Sequence, residues 1–111
     1  MHEMGLAKDV LRKILEEAGN KKLRRIKSAD INIGETLITD KEEFLELFKD
    51  ISIGTPAEGL ELNVTIMPLM AFCNSCSKEF TAKEMKKGCP HCESTDFKIV
   101  SGKEVVIKEL K

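Results

Sequence analysis

The sequence contains no tryptophan and no tyrosine, and only 5 phenylalanines among its 111 residues. Proteins that hold single-stranded nucleic acid by stacking bases need aromatic platforms, and few are on offer here. No charge of one sign predominates: 18 Lys+Arg stand against 19 Asp+Glu, a formal net charge of −1. The basic excess that carries electrostatic binding to phosphate backbones is therefore missing. Long hydrophobic runs are missing too. The stretch from Ile66 to Phe72 is broken by Pro68 and far too short to span a bilayer. Near the start, Glu3, Lys8, Asp9, Arg12, Lys13, Glu16 and Glu17 interrupt any signal-peptide core, so a cytoplasmic protein is expected. Histidine occurs only as His2 and His91, which leaves no Ser-His-Asp set, and no glycine-rich phosphate loop is present. Nothing points to an enzyme.

Hydrophobic residues make up 41% of the chain, enough to exclude wholesale disorder. The length suits one compact domain, or a small domain with a stapled appendix. Between Met4 and Ala18, apolar Ala7, Val10, Leu11, Ile14, Leu15 and Ala18 recur at helical spacing opposite a charged face. Gly19-Asn20 is the expected left-handed stop. After the basic run Lys21 to Lys27, which reads as a solvated connection, Ala29, Ile31 and Ile33 alternate with polar residues up to Gly34, predicting a strand. A second helix is expected to start near Thr39 or Asp40, because Glu42 and Glu43 stand at capping-box spacing from them. Phe44, Leu45, Phe48 and Ile51 would form its buried stripe. Leu60, Leu62, Val64 and Ile66 alternate with Glu61, Asn63 and Thr65, the clearest strand pattern in the chain. Val105 and Ile107 suggest a final strand between Glu104 and Leu110. The fold class is thus α+β, with a cysteine-bearing module inserted between two strands.

That module reads Cys73-Asn-Ser-Cys76, twelve residues, then Cys89-Pro-His-Cys92. Two residues between thiols let both sulfurs of one turn face one ion, and two such turns complete a tetrahedron. In a cytoplasmic protein disulfides are rare, so a metal is the better account of four cysteines. A closed structural zinc site is expected; a rubredoxin-like iron site and a redox-active dithiol share the ligand set. Few apolar residues lie between the pairs, Phe80 and Met85 among them, so the ion would supply much of the module's stability. His91, inside the second turn, is expected to point away from the ion.

The opening Met1-His2-Glu3 is the other distinctive feature. Since the initiator methionine is normally removed only before small residues, His2 should keep Met1 in place. A terminal amine, a backbone amide and an imidazole would then lie on adjacent residues, with the Glu3 carboxylate beside them. A nitrogen-rich set of this kind suits nickel or copper better than magnesium or calcium.

Taken together, Met1-His2-Glu3-Met4 opening a helix, Ile33-Gly34-Glu35 ending a strand, Gly54-Thr55-Pro56-Ala57-Glu58-Gly59 before another, and the two Cys pairs resemble one family. It is the hydrogenase maturation nickel-incorporation family of the HypA/HybF type, and the resemblance runs essentially the whole chain. It implies a small nickel metallochaperone in which two helices on a short sheet form a nickel-binding domain, residues 1–67 plus 101–111. A zinc-binding domain, residues 68–100, would interrupt it. Carried over by position, His2 is the principal nickel ligand, with Glu3 and the Met1 amine nearby. Asp40 matches a position that joins the nickel site, although Asp is also an ordinary helix cap. Cys73, Cys76, Cys89 and Cys92 would hold Zn(II), while Ni(II) is cargo. The implied partners are a maturation GTPase and the large-subunit precursor of nickel–iron hydrogenase, with self-association as a further candidate. Neither nucleic acid nor a membrane is expected. Family members often carry histidines flanking both Cys pairs; with His91 alone, a histidine-driven switch of the zinc site is not expected. The competing readings are a zinc-ribbon nucleic-acid adaptor, disfavoured by the near-neutral module, and an iron–sulfur electron carrier.

Overall fold

The computed structural model describes residues 2–111, His2 by its backbone alone. Helix α1 (His2–Asn20) buries Leu6, Ala7, Val10, Ile14 and Ala18, the stripe that its apolar spacing dictates. The left-handed residue that ends it is Lys22, at φ 59°, so Gly19 and Asn20 stay helical. Leu23 N donates to Ala18 O and Lys22 N to Gly19 O, the paired bonds of a Schellman close. Leu23 packs against the core beyond this turn, and that contact sets the stop later than Gly19-Asn20 predicts.

Strand β1 (Ser28–Gly34) lies at the centre of a three-stranded sheet, flanked by β2 (Glu61–Met67) and, later in the chain, β6 (Val105–Leu110). It runs parallel to β2, a pairing that requires a crossover, which helix α2 (Lys41–Ile51) provides; it is antiparallel to β6. Ala29, Ile31 and Ile33 are buried in one core with the α1 stripe and with Phe44 and Phe48 of α2. On the other face, exposed Asn63 Nδ2 donates to Asp30 Oδ1 at 2.8 Å. The period-two pattern of β1 thus assigns one face to the helices and the other to water.

A second three-stranded antiparallel sheet follows, made of β3 (Met70–Cys73), β4 (Glu79–Thr81) and β5 (Phe97–Ser101) in the order β4-β3-β5. Sequence patterning assigns no strands here, because three to five residues are too few for alternation to register.

The chain passes between the sheets at Pro68-Leu69 and returns at Gly102-Lys103, and the end of β1 clamps both passages. Glu35 Oε1 accepts from Leu69 N at 2.7 Å, and Thr36 Oγ1 donates to Gly102 O at 2.9 Å. A Cβ on Gly34 would run into the Gly102 carbonyl, and Gly102 itself has φ +94° with Leu69 Cα 2.5 Å from where its Cβ would be. Backbone therefore lies on backbone at this crossing. Gly34→Ala is expected to cost about 1–3 kcal/mol by overpacking; a denaturant midpoint equal to wild type would show that the crossing is loose.

Candidate metal centres

The sulfurs of Cys73, Cys76, Cys89 and Cys92 all lie within 4.8 Å of one another. Cys73 and Cys92 are 3.5 Å apart, Cys76 and Cys89 3.7 Å, and all four are free thiols. Four thiolates at zinc-bonding distance occupy the corners of a tetrahedron with edges of about 3.8 Å. Spacing and donor chemistry therefore fit a four-thiolate metal site, and these residues are the ones that would hold the ion.

Local backbone geometry explains the convergence. Each Cys pair closes a turn in which the residue after its second cysteine donates to the carbonyl of its first: Ser77 N to Cys73 O at 2.9 Å, Glu93 N to Cys89 O at 2.7 Å. Ser77 and Glu93 both take left-handed conformations, φ 60° and 63°. Amides point at the sulfurs, Cys76 N at Cys73 Sγ and His91 N at Cys89 Sγ, at 3.5 and 3.4 Å. The first turn is tied to the stretch between the second turn and β5 by Ser75–Ser94 and Asn74–Asp96 side-chain hydrogen bonds. Beneath them Phe80 and Phe97 meet edge to face, with centroids 5.5 Å apart. Phe80 is buried while Met85 is exposed, so of the two only Phe80 contributes to the core.

The thiols share protons unequally. The Cys76 amide is the main cause that lowers Cys73 to about 7. The Ser94 amide pulls Cys92 down, but its contact with Cys73 and its desolvation outweigh that and push it up to about 12. Desolvation raises Cys76. Binding a cation at the cluster must therefore displace protons, as at any thiolate site. His91 is exposed and supplies only its backbone amide to the sulfurs.

Met1 and the side chain of His2 lie outside the described residues. Glu3, in the first turn of α1, is only 4% exposed. Its Oε1 accepts from Thr39 N at 2.9 Å, Thr39 Oγ1 at 3.0 Å and Asp40 N at 3.3 Å. Asp40 is the N-cap of α2, its Oδ1 accepting from Glu43 N at 3.0 Å. Glu3 and Asp40, candidates drawn from separate parts of the chain, are thus brought together where the two helices begin. Thr39 enters the site only through the fold. In the sequence it is one of two neighbouring cap candidates, and nothing local marks a partner 36 residues away.

A family model described as hydrogenase/urease nickel incorporation, metallochaperone, hypA, matches residues 1–111. The chain is 31% identical over 110 residues to the hydrogenase maturation factor HypA of Legionella pneumophila (strain Lens), covering 99% of this chain and 97% of that one. It is 28% identical over 111 residues to the HypA of Azotobacter chroococcum mcd 1, covering 100% and 98%. The solution structure of the Ni metallochaperone HypA from Helicobacter pylori shares the fold, with a TM-score of 0.73 at 22% identity, over 100% of this chain and 97% of that one.

Proposed function

Because the chain belongs to the HypA family of nickel metallochaperones for hydrogenase maturation, we propose that it captures Ni(II) at its N-terminus. From there it passes the ion to the large-subunit precursor of nickel–iron hydrogenase, together with a partner GTPase. The observation that carries this reading is the family match from end to end in a chain that opens Met1-His2-Glu3. His2 is the principal ligand, joined by the Met1 amine and main-chain nitrogen, with Glu3 and Asp40 alongside. Zn(II) held by Cys73, Cys76, Cys89 and Cys92 folds residues 68–100. Residues 1–67 and 101–111 form the nickel-binding domain. A four-thiolate shell leaves no open position for chemistry, so the zinc acts structurally. Delivery requires a site that a partner's ligands can displace, which a terminal site at the surface provides. The protein works in the cytoplasm; no helix among the described residues is long and apolar enough to cross a membrane.

Metal titration of protein with a native Met1 amine tests the reading. Nickel should bind at a site independent of zinc, and failure to bind would overturn the proposal. Asp40→Asn separates the two roles of Asp40. As a ligand its loss weakens nickel binding, while Asn, an equally good N-cap, leaves thermal stability nearly unchanged. Nickel affinity equal to wild type would leave the capping role alone.

A further inference from the structure

We propose that Thr39 is a positioning residue for the amino-terminal nickel site, acting through Glu3; the inference rests on that site being where nickel binds. Glu3 directly follows His2 in the sequence, so a restraint on Glu3 acts one peptide bond away from the proposed principal ligand. Its carboxylate lies in the first turn of α1, where backbone N–H groups have no partners within the helix and negative charge is favoured. The same carboxylate serves the start of α2. In a capping box the N-cap amide is met by a side chain three residues further along its own helix, which in α2 would be Glu43. Here the Asp40 amide donates to Glu3 instead, and Thr39 adds its amide and its hydroxyl to the same oxygen. One carboxylate thus joins two helix starts.

This has a consequence for the ligand set. An oxygen that already accepts from three donors has no lone pair left for a cation. Through Oε1, then, Glu3 acts as a strut. The nitrogens proposed to bind nickel belong to the two residues that precede this anchored carboxylate in the sequence. Metal ligands must be held to about half an ångström, which an untethered terminus cannot do. The buried stripe of α1 fixes the helix as a whole, but Leu6 is the first residue of that stripe. Ahead of it, the bonds from Thr39 and Asp40 to Glu3 restrain the first turn.

The test uses the full chain with a native Met1 amine and zinc bound. Thr39→Val keeps the shape and the amide but removes the hydroxyl donor. Thr39→Ser keeps the donor. Nickel affinity, measured by calorimetry, should fall about three- to tenfold in Thr39→Val, the equivalent of one net hydrogen bond. It should stay within about twofold of wild type in Thr39→Ser. Zinc content should not move, since the cysteine core contains neither Thr39 nor Glu3, and the thermal midpoint should fall by no more than the loss of one side-chain hydrogen bond. Hydrogen exchange at the backbone amides of the substituted residue and of Asp40, read in the same samples, should quicken in the valine variant and not in the serine one. Equal nickel affinity in wild type and Thr39→Val overturns the positioning role and leaves the proposed function standing. Wild type that binds no nickel at its N-terminus overturns both.

Discussion

Replacing His2 with alanine is expected to abolish specific nickel binding while zinc content and thermal unfolding stay at wild-type values. Two physical arguments set the size of the effect. The imidazole is the only side-chain nitrogen among the proposed ligands, and Ni(II) ranks high among divalent ions in its preference for nitrogen. In the sequence His2 also precedes the buried stripe, whose first apolar residue is Leu6. The fold should therefore tolerate a change that the metal does not. Extending the chain ahead of Met1 should impair binding in the same way, because it converts the amine into an amide and moves His2 inward. Acidification should release nickel, as protons compete for the same nitrogens. Glu3→Gln should weaken binding less than His2→Ala, since an amide oxygen still accepts from Thr39 and Asp40. A native-terminus His2→Ala protein with wild-type nickel affinity would sink the proposed mechanism.

The second large effect belongs to the cysteines. Serine at any one of Cys73, Cys76, Cys89 or Cys92, or removal of the metal by a strong chelator, should unfold the inserted module and leave the helical part folded. The buried core around the cluster consists of Ala71, Cys73, Phe80 and Cys89, with Cys76 and Phe97 packed against it. Two of its four buried residues are themselves cysteines, so little apolar area remains to hold three short strands together once the ion is gone. Metal binding at such sites supplies on the order of 10 kcal/mol of folding free energy, more than this core could replace. The core of the helical part draws on α1, α2 and the β1 sheet, without a cysteine. Far-ultraviolet circular dichroism should thus retain its helical signal, while amide signals of residues 70–101 collapse in a nitrogen–proton correlation spectrum. A zinc-free protein with those signals still dispersed would contradict the coupling of metal to fold. Iron and visible colour in the purified protein would point to a different ion at the same thiols.

Much of this molecule is legible along the chain because its strongest signals are local. Apolar spacing from Ala7 to Ala18 and from Phe44 to Ile51 specifies two helices, since a helix repeats its faces every few residues whatever it packs against. Alternation in β1 and β2 specifies the strands in the same way. The paired Cys-x-x-Cys spacing is also local: a turn of that length aims both sulfurs to one side, so the cluster is implied before any tertiary contact is known. Local signals alone therefore specify the two helices, the strands of the first sheet and the convergence of the cysteines, whereas the family shows as a resemblance of motifs taken together along the whole chain.

The remaining features depend on packing, for reasons of distance along the chain and of amplitude. The strands β3, β4 and β5 are too short to carry a pattern, and exist because the metal-binding turns and the Phe80–Phe97 contact hold them side by side. The stop of α1 depends on where Leu23 finds the core, so the left-handed position fell on Lys22 and not on Gly19 or Asn20. Glu35 reads as the end of a strand motif until Leu69 is brought to its carboxylate. Glu3 reads as an acidic neighbour of His2 until the start of α2 folds over it. Hydrogen bonds between residues more than thirty positions apart leave no periodic trace, because either partner alone is an ordinary polar residue. Only the packing of α1 on α2 joins Thr39, Asp40 and Glu3 in one hydrogen-bonded cluster.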